Sequence, residues 1–129
     1  MAEQISLQDI LSELRKTSYN STIKNNLVET ILEGKPVYTF ISEWSRFTVA
    51  SVIGVDDQDP FLAFIAANET MRIIGYVRIC IQTENNTVLF SVDHTCDDIS
   101  QIIPLFSHGL EIIKSAMEAF KNNMNTLAL

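Results

Sequence analysis

Between residues 99 and 120, apolar side chains recur every three or four positions: Ile99, Ile102, Ile103, Phe106, Leu110, Ile113, Met117 and Phe120. That period is helical, and it predicts one long C-terminal helix capped by Asp97 or Asp98. Pro104 falls inside the pattern, so it either sits in the first turns or kinks the helix. The polar tail from Asn122 is expected to fray. With Leu105 and Ile112 added, the apolar surface exceeds the ~100° stripe of an ordinary surface helix. Such a helix needs an extended apolar counterpart: a sheet, other helices, or a second copy of the chain.

The rest of the chain supplies candidates. Residues 5–17 read as an amphipathic helix, with Ile5, Leu7, Ile10, Leu11 and Leu14 on one face, Ser6 as N-cap and Asp9 three residues on. Ser21 or Thr22 then caps an expected second helix, in which Ile23, Leu27, Val28, Ile31 and Leu32 form the stripe and Gly34 is the stop. The period changes at Val37–Ile41 and Phe47–Ile53, which are strand-forming and joined by a link short enough for a hairpin. Asp59 and Pro60 start a helix ending near Asn68, with Phe61, Leu62, Phe64 and Ile65 as its apolar face. Residues 71–92 read as a hairpin turning at Glu84-Asn85-Asn86. The expected order is α-α-β-β-α-β-β-α. It predicts a single α+β domain over residues 1–129, a two-layer α/β sandwich with an antiparallel sheet packed against N- and C-terminal helices. The expected core includes Phe61, Phe64, Ile65, Val77, Ile79, Phe90, Val92, Ile102, Phe106, Ile113 and Phe120.

Charge narrows the function classes. The 129 residues carry 9 Lys and Arg against 16 Asp and Glu, a net −7. A chain this acidic repels phosphate, so no nucleic-acid partner is expected. Residues 56–129 hold four basic and ten acidic side chains, and no Lys or Arg falls between Arg78 and Lys114. That acidic half suits either solubility or the steering of a basic partner. The start Met1-Ala2-Glu3-Gln4 has neither a basic nor an apolar targeting region, and no apolar stretch reaches the ~20 residues of a membrane span. The expectation is a cytoplasmic protein with no membrane partner.

No constellation in the sequence announces catalysis. His94 and His108 are too far apart in sequence for a zinc signature. Asp93-His94 invites a general-base reading, but no nucleophile motif accompanies it, and a polar strand end is the simpler account. Asp56, Asp57 and Asp59 lack the central Gly and twelfth-position Glu of a calcium loop. Cys80 sits in the apolar run Ile79-Cys80-Ile81 and is expected to be buried. Cys96 stands beside Asp97 and Asp98, whose charges make it a poor nucleophile. No catalytic residue, metal or cofactor is expected. The aromatics Phe40, Trp44 and Phe47 cluster around the first expected strand pair. They read first as core packing and second as a protein-binding patch.

One stretch carries a family pattern. Phe61 to Asn68 is a short helix ending in Asn, and Arg72-Ile73-Ile74-Gly75-Tyr76-Val77 is an Arg-x-x-Gly strand entry. Val88 to Asp93 is a strand ending in Asp, and Ile99 to Phe120 closes as a long apolar helix. About half the chain thus resembles the YbjN family, whose fold is that of type III secretion chaperones. The first half, read as two helices and two strands, departs from the family pattern of one helix and three strands. The resemblance implies a two-layer sandwich, a homodimer, and binding of another protein rather than catalysis. The leading expectation is therefore a non-enzymatic protein-binding domain, chaperone-like or YbjN-like. The alternative is a small acidic inhibitor or immunity-type protein masking a basic partner.

Overall fold

The computed structural model describes residues 4–55 and 60–127. Helix α1 (Leu7–Lys16) begins where the Ser6/Asp9 pair predicts. The Asp9 N–H donates to Ser6 Oγ (3.1 Å) and the Ser6 N–H donates to Asp9 Oδ2 (2.9 Å). Two otherwise unpaired groups at the helix start are thereby satisfied. Ile10, Leu11 and Leu14 face inward and are buried.

The next segment corrects the sequence expectation. Residues 22–33 do not form a second helix. They contribute to a hairpin of β1 (Asn20–Lys24) and β2 (Leu27–Leu32), with Thr22 opposite Glu29 and Ile23 opposite Val28. Asn25, at φ 58°, makes the two-residue turn with Asn26. β2 alternates: Val28 and Thr30 are buried under α1, while Leu27, Glu29 and Ile31 are only half-buried. Gly34, expected to stop a helix, instead shares a left-handed turn with Glu33 (φ 78° and 52°). That pair of positive φ angles suits a tight hairpin into β3.

Strand β3 (Lys35–Ser42) leads through a tight turn at Glu43–Ser45 into β4 (Arg46–Gly54). Helix α2 (Pro60–Ile73) runs past the expected end at Asn68, and β5 (Val77–Gln82) starts later than expected. Asp59, the expected cap of α2, lies outside the described residues. After β6 (Thr87–Thr95), Asp98 caps a short tight turn, accepting from the Ser100 N–H at 3.1 Å. Helix α3 (Ile102–Leu127) follows, with Pro104 in its first turn. The tail expected to fray is helical: Met124 is buried and Asn123 Nδ2 donates to Thr70 Oγ1 on α2 (3.0 Å).

The sheet is six-stranded and antiparallel in the order β1-β2-β3-β4-β6-β5. The architecture is α+β, as expected. α1 packs on β1, β2 and β3, and α3 packs on β4, β6 and β5. Phe47, Phe90, Phe106 and Phe120 are fully buried between the layers, with Phe90 and Phe120 edge to face at 5.7 Å. Of the expected core, Val77, Ile79, Phe90, Val92, Ile102, Phe106, Ile113 and Phe120 are buried. Phe61, Phe64 and Ile65 are not: they are 66%, 48% and 37% exposed. α2 turns the small side chains of Ala63, Ala66, Ala67 and Thr70 inward instead. Small residues let α2 approach α3 and β5 closely, so the aromatic side is left outside.

The two sheet edges differ. Beside β5, α2 is close enough for the Ile79 N–H to donate to Met71 Sδ at 3.4 Å. At β1, Arg15 Nε donates to the Ser21 carbonyl at 3.1 Å.

Candidate functional site on the uncovered sheet face

Antiparallel partners point to the same face of a sheet, so register assigns the faces. Val49 is opposite Val92 and Thr39, and a Cβ on Gly109 of α3 would touch Val49, so this set faces the helices. The next residue along each strand faces away. One such row runs Tyr38, Ala50, Ser91, Arg78 across β3, β4, β6 and β5. A second runs Phe40, Thr48, Asp93. A third pairs Val52 with Leu89 and Leu89 with Cys80. None of the described helices lies across this face.

The central positions Thr48, Ala50 and Ser91 are small, while the flanking ones are large. The result is a groove of about 560 Å³. Leu27, Tyr38 and Phe40 line it from one side, and Met71, Cys80 and Leu89 from the other. Its polar part is self-satisfied: Thr48 Oγ1 donates to Asp93 Oδ1 at 2.6 Å, and Arg78 pairs with the other oxygen of Asp93. A trough with small residues at its centre and a compensated ion pair suits an apolar segment better than a charged small molecule.

The expected aromatic patch is divided. Phe40 lines the groove, whereas Phe47 is fully buried on the opposite face and has no surface to offer. Trp44 stands in the turn between β3 and β4, 88% exposed, at φ 66°, with Ser45 also left-handed at φ 56°. Two successive non-glycine residues in that region cost of order 1 kcal/mol or more each, and they hold the indole in solvent. A depression of about 400 Å³ beside it is lined by Ile5, Glu43, Cys96 and Asp97.

The sequence reading missed a second apolar surface. Phe61, Phe64, Ile65 and Ile73 on α2 and Tyr76 after it are all exposed. The available signal was the competing stripe of small residues at 63, 66, 67 and 70, which fits the helical period equally well.

The remaining candidates are corrected in part. Cys80, expected buried, is exposed on the uncovered face, because its neighbours Ile79 and Ile81 take the helix side. Cys96 is the buried thiol, and burial, more than Asp97 and Asp98, pushes its pKa up. His94 and His108 come together, ring centroids 5.3 Å apart, where β6 meets α3. His94 Nε2 is buried without a hydrogen-bond partner. Burial and the neighbouring His108 hold the His94 pKa below its ordinary value, with Asp93 opposing. Among the described residues, no group of three or more His, Cys, Asp or Glu is placed to hold a metal ion. Nor is any described helix long and apolar enough to cross a membrane.

The sequence matches no family model and no curated protein. The structure does have counterparts. YbjN from E. coli, a candidate transcription regulator, superposes with a TM-score of 0.75 over 98% of this chain and 97% of its own, at 8% identity. A chain of the HopA1–SchA chaperone–effector complex superposes with a TM-score of 0.56 over 94% of this chain and 98% of its own, at 5% identity. One helix and four strands precede α2 here, where the sequence reading had placed two helices and two strands. By these superpositions the expected resemblance holds at the level of architecture: the chain shares its fold with YbjN and with the matched chain of the HopA1–SchA complex.

Proposed function

We propose that this chain is a non-enzymatic, cytoplasmic protein-binding domain of the secretion-chaperone-like or YbjN-like kind, acting as a homodimer. The observation that carries the reading is the uncovered sheet face, whose groove is lined by Leu27, Tyr38, Phe40, Met71 and Leu89. Water-exposed apolar surface of that kind is a cost unless a partner covers it. An extended apolar segment of another protein would lie along the trough, with Trp44 at the nearby turn as an exposed aromatic anchor.

The dimer reading rests on α2. Its outer side presents Phe64, Ile65 and Ile73, and residues 60–68 contain no charged side chain. Two copies that each carry a net −7 meet with least repulsion through a neutral surface, and a two-fold contact buries such a patch on both.

The test is affinity capture from the native cells with the wild type and a Tyr38→Glu/Leu89→Glu variant. A defined protein should co-purify with the wild type and be lost from the variant, with the fold intact by circular dichroism. Recovery of the same protein by both would remove the groove from the reading.

A further inference from the structure

The helical layer over the sheet is incomplete. α1 and α3 lie on the same face, but α1 has ten residues and α3 has 26. At 1.5 Å per residue they span about 15 and 39 Å. Beyond the end of α1, the helix-side surface of the β2–β3 hairpin is left beside the middle of α3 as a groove of about 590 Å³. Leu32 and Val37 line it from the hairpin, and Leu110, Ile113 and Met117 from α3.

The charges around this groove differ from those of the molecule. Among the nine basic side chains, Lys16, Lys24, Arg72 and Arg78 sit in ion pairs, and Arg15 is held by the Ser21 carbonyl. Of the other four, Lys35, Lys114 and Lys121 all line this groove, with no carboxylate partner among the described residues. Glu33 and Glu118 line it too, so the rim is net positive by one charge on a chain of net −7.

We propose that this groove receives an amphipathic helix of a partner protein whose apolar stripe is flanked by acidic side chains. The inference rests on the protein-binding reading above and names the chemistry of one partner segment. The stripe would cover the half-buried Leu32, Leu110 and Met117 over a floor formed by the already buried Val37 and Ile113, completing the layer that α1 leaves short. The flanking carboxylates would pair with Lys35, Lys114 and Lys121. This preference is local and runs against the net charge, which on its own favours a basic partner.

The test uses two labelled synthetic helices of about 18 residues, ~27 Å long, with one Leu/Ile stripe and either Glu or Lys flanks. Fluorescence anisotropy at low salt should show the Glu-flanked peptide binding about tenfold tighter to the wild type. The Lys35→Glu/Lys114→Glu/Lys121→Glu variant should reverse that order. A control with the same net charge, Lys16→Glu/Lys24→Glu/Arg72→Glu, should preserve it. The proposal is overturned if neither peptide binds, if the Lys-flanked peptide binds the wild type as tightly, or if the control reverses the order as well. Any of these leaves partner capture on the opposite sheet face standing. Conversely, failure of the Tyr38→Glu/Leu89→Glu experiment does not alter the peptide comparison.

Discussion

A Cβ built on Gly109 of α3 would lie 2.9 Å from Cγ2 and 3.0 Å from Cβ of Val49 on β4. The long helix is seated on the sheet at that contact, and only hydrogen fits between them. Gly109→Ala improves intrinsic helix propensity by about 1 kcal/mol, yet overpacking costs roughly 1–3 kcal/mol. Val49 is branched at the contacting carbon and cannot swing clear. We expect net destabilisation, read as a lower urea midpoint with an unchanged m-value. A rise in the midpoint would show that α3 can lift away freely.

Phe106 is fully buried and meets the ring of Tyr19 edge to face at 5.1 Å. Phe106→Ala should cost about 3–5 kcal/mol in chemical denaturation. A loss below ~1 kcal/mol would mean that the layer between α3 and the sheet collapses around the cavity.

Light scattering at micromolar concentration should report about twice 14.5 kDa for the wild type. Phe64→Glu should return the mass to that of one chain without unfolding it, because Phe64 is 48% exposed. A monomeric wild type would remove the dimer and leave the α2 surface without its proposed cover.

Acid should weaken the fold at the His94–His108 contact. The His94 pKa is depressed in the folded chain, so the unfolded chain binds more protons as pH falls below about 6.5. The stability associated with neutral His94 is complete above that value and is lost as pH drops toward the folded pKa. The denaturation midpoint should therefore fall as the pH is lowered below about 6.5, and less so in a His94→Gln variant. Equal slopes in the two proteins would assign the acid effect to other groups.

What could be read from the residues alone was mostly what local chemistry decides. The Ser6/Asp9 cap and the apolar period of α3 depend on neighbours within a few positions, and each is found in the fold. Of the two caps expected for the long helix, Asp97 or Asp98, it is Asp98 that caps, on the short turn Ile99–Gln101 leading into α3. The segment 22–33 was misread because Ile23, Leu27, Val28, Ile31 and Leu32 satisfy a helical stripe and a pair of strands alike. Asn25 decides in favour of strands, since Asn accepts the left-handed conformation it takes in the turn. The orientation of α2 was not legible. Its aromatic and small-residue stripes share one period, and the close approach of α3 selects the small one. The candidate site was divided for the same reason: alternation along β3 and β4 sends Phe40 and Phe47 to opposite faces.

The Met71–Ile79 contact beside β5 has a further consequence. A sheet propagates into a fibre only if both of its edges accept new strands, because each added copy must offer an edge to the next. Here α2 stands against one edge, and at the other Arg15 already occupies the carbonyl of Ser21. Any strand-to-strand joining through β1 ends at a closed pair. A molecule built this way can leave an apolar face uncovered and still resist growing into an aggregate.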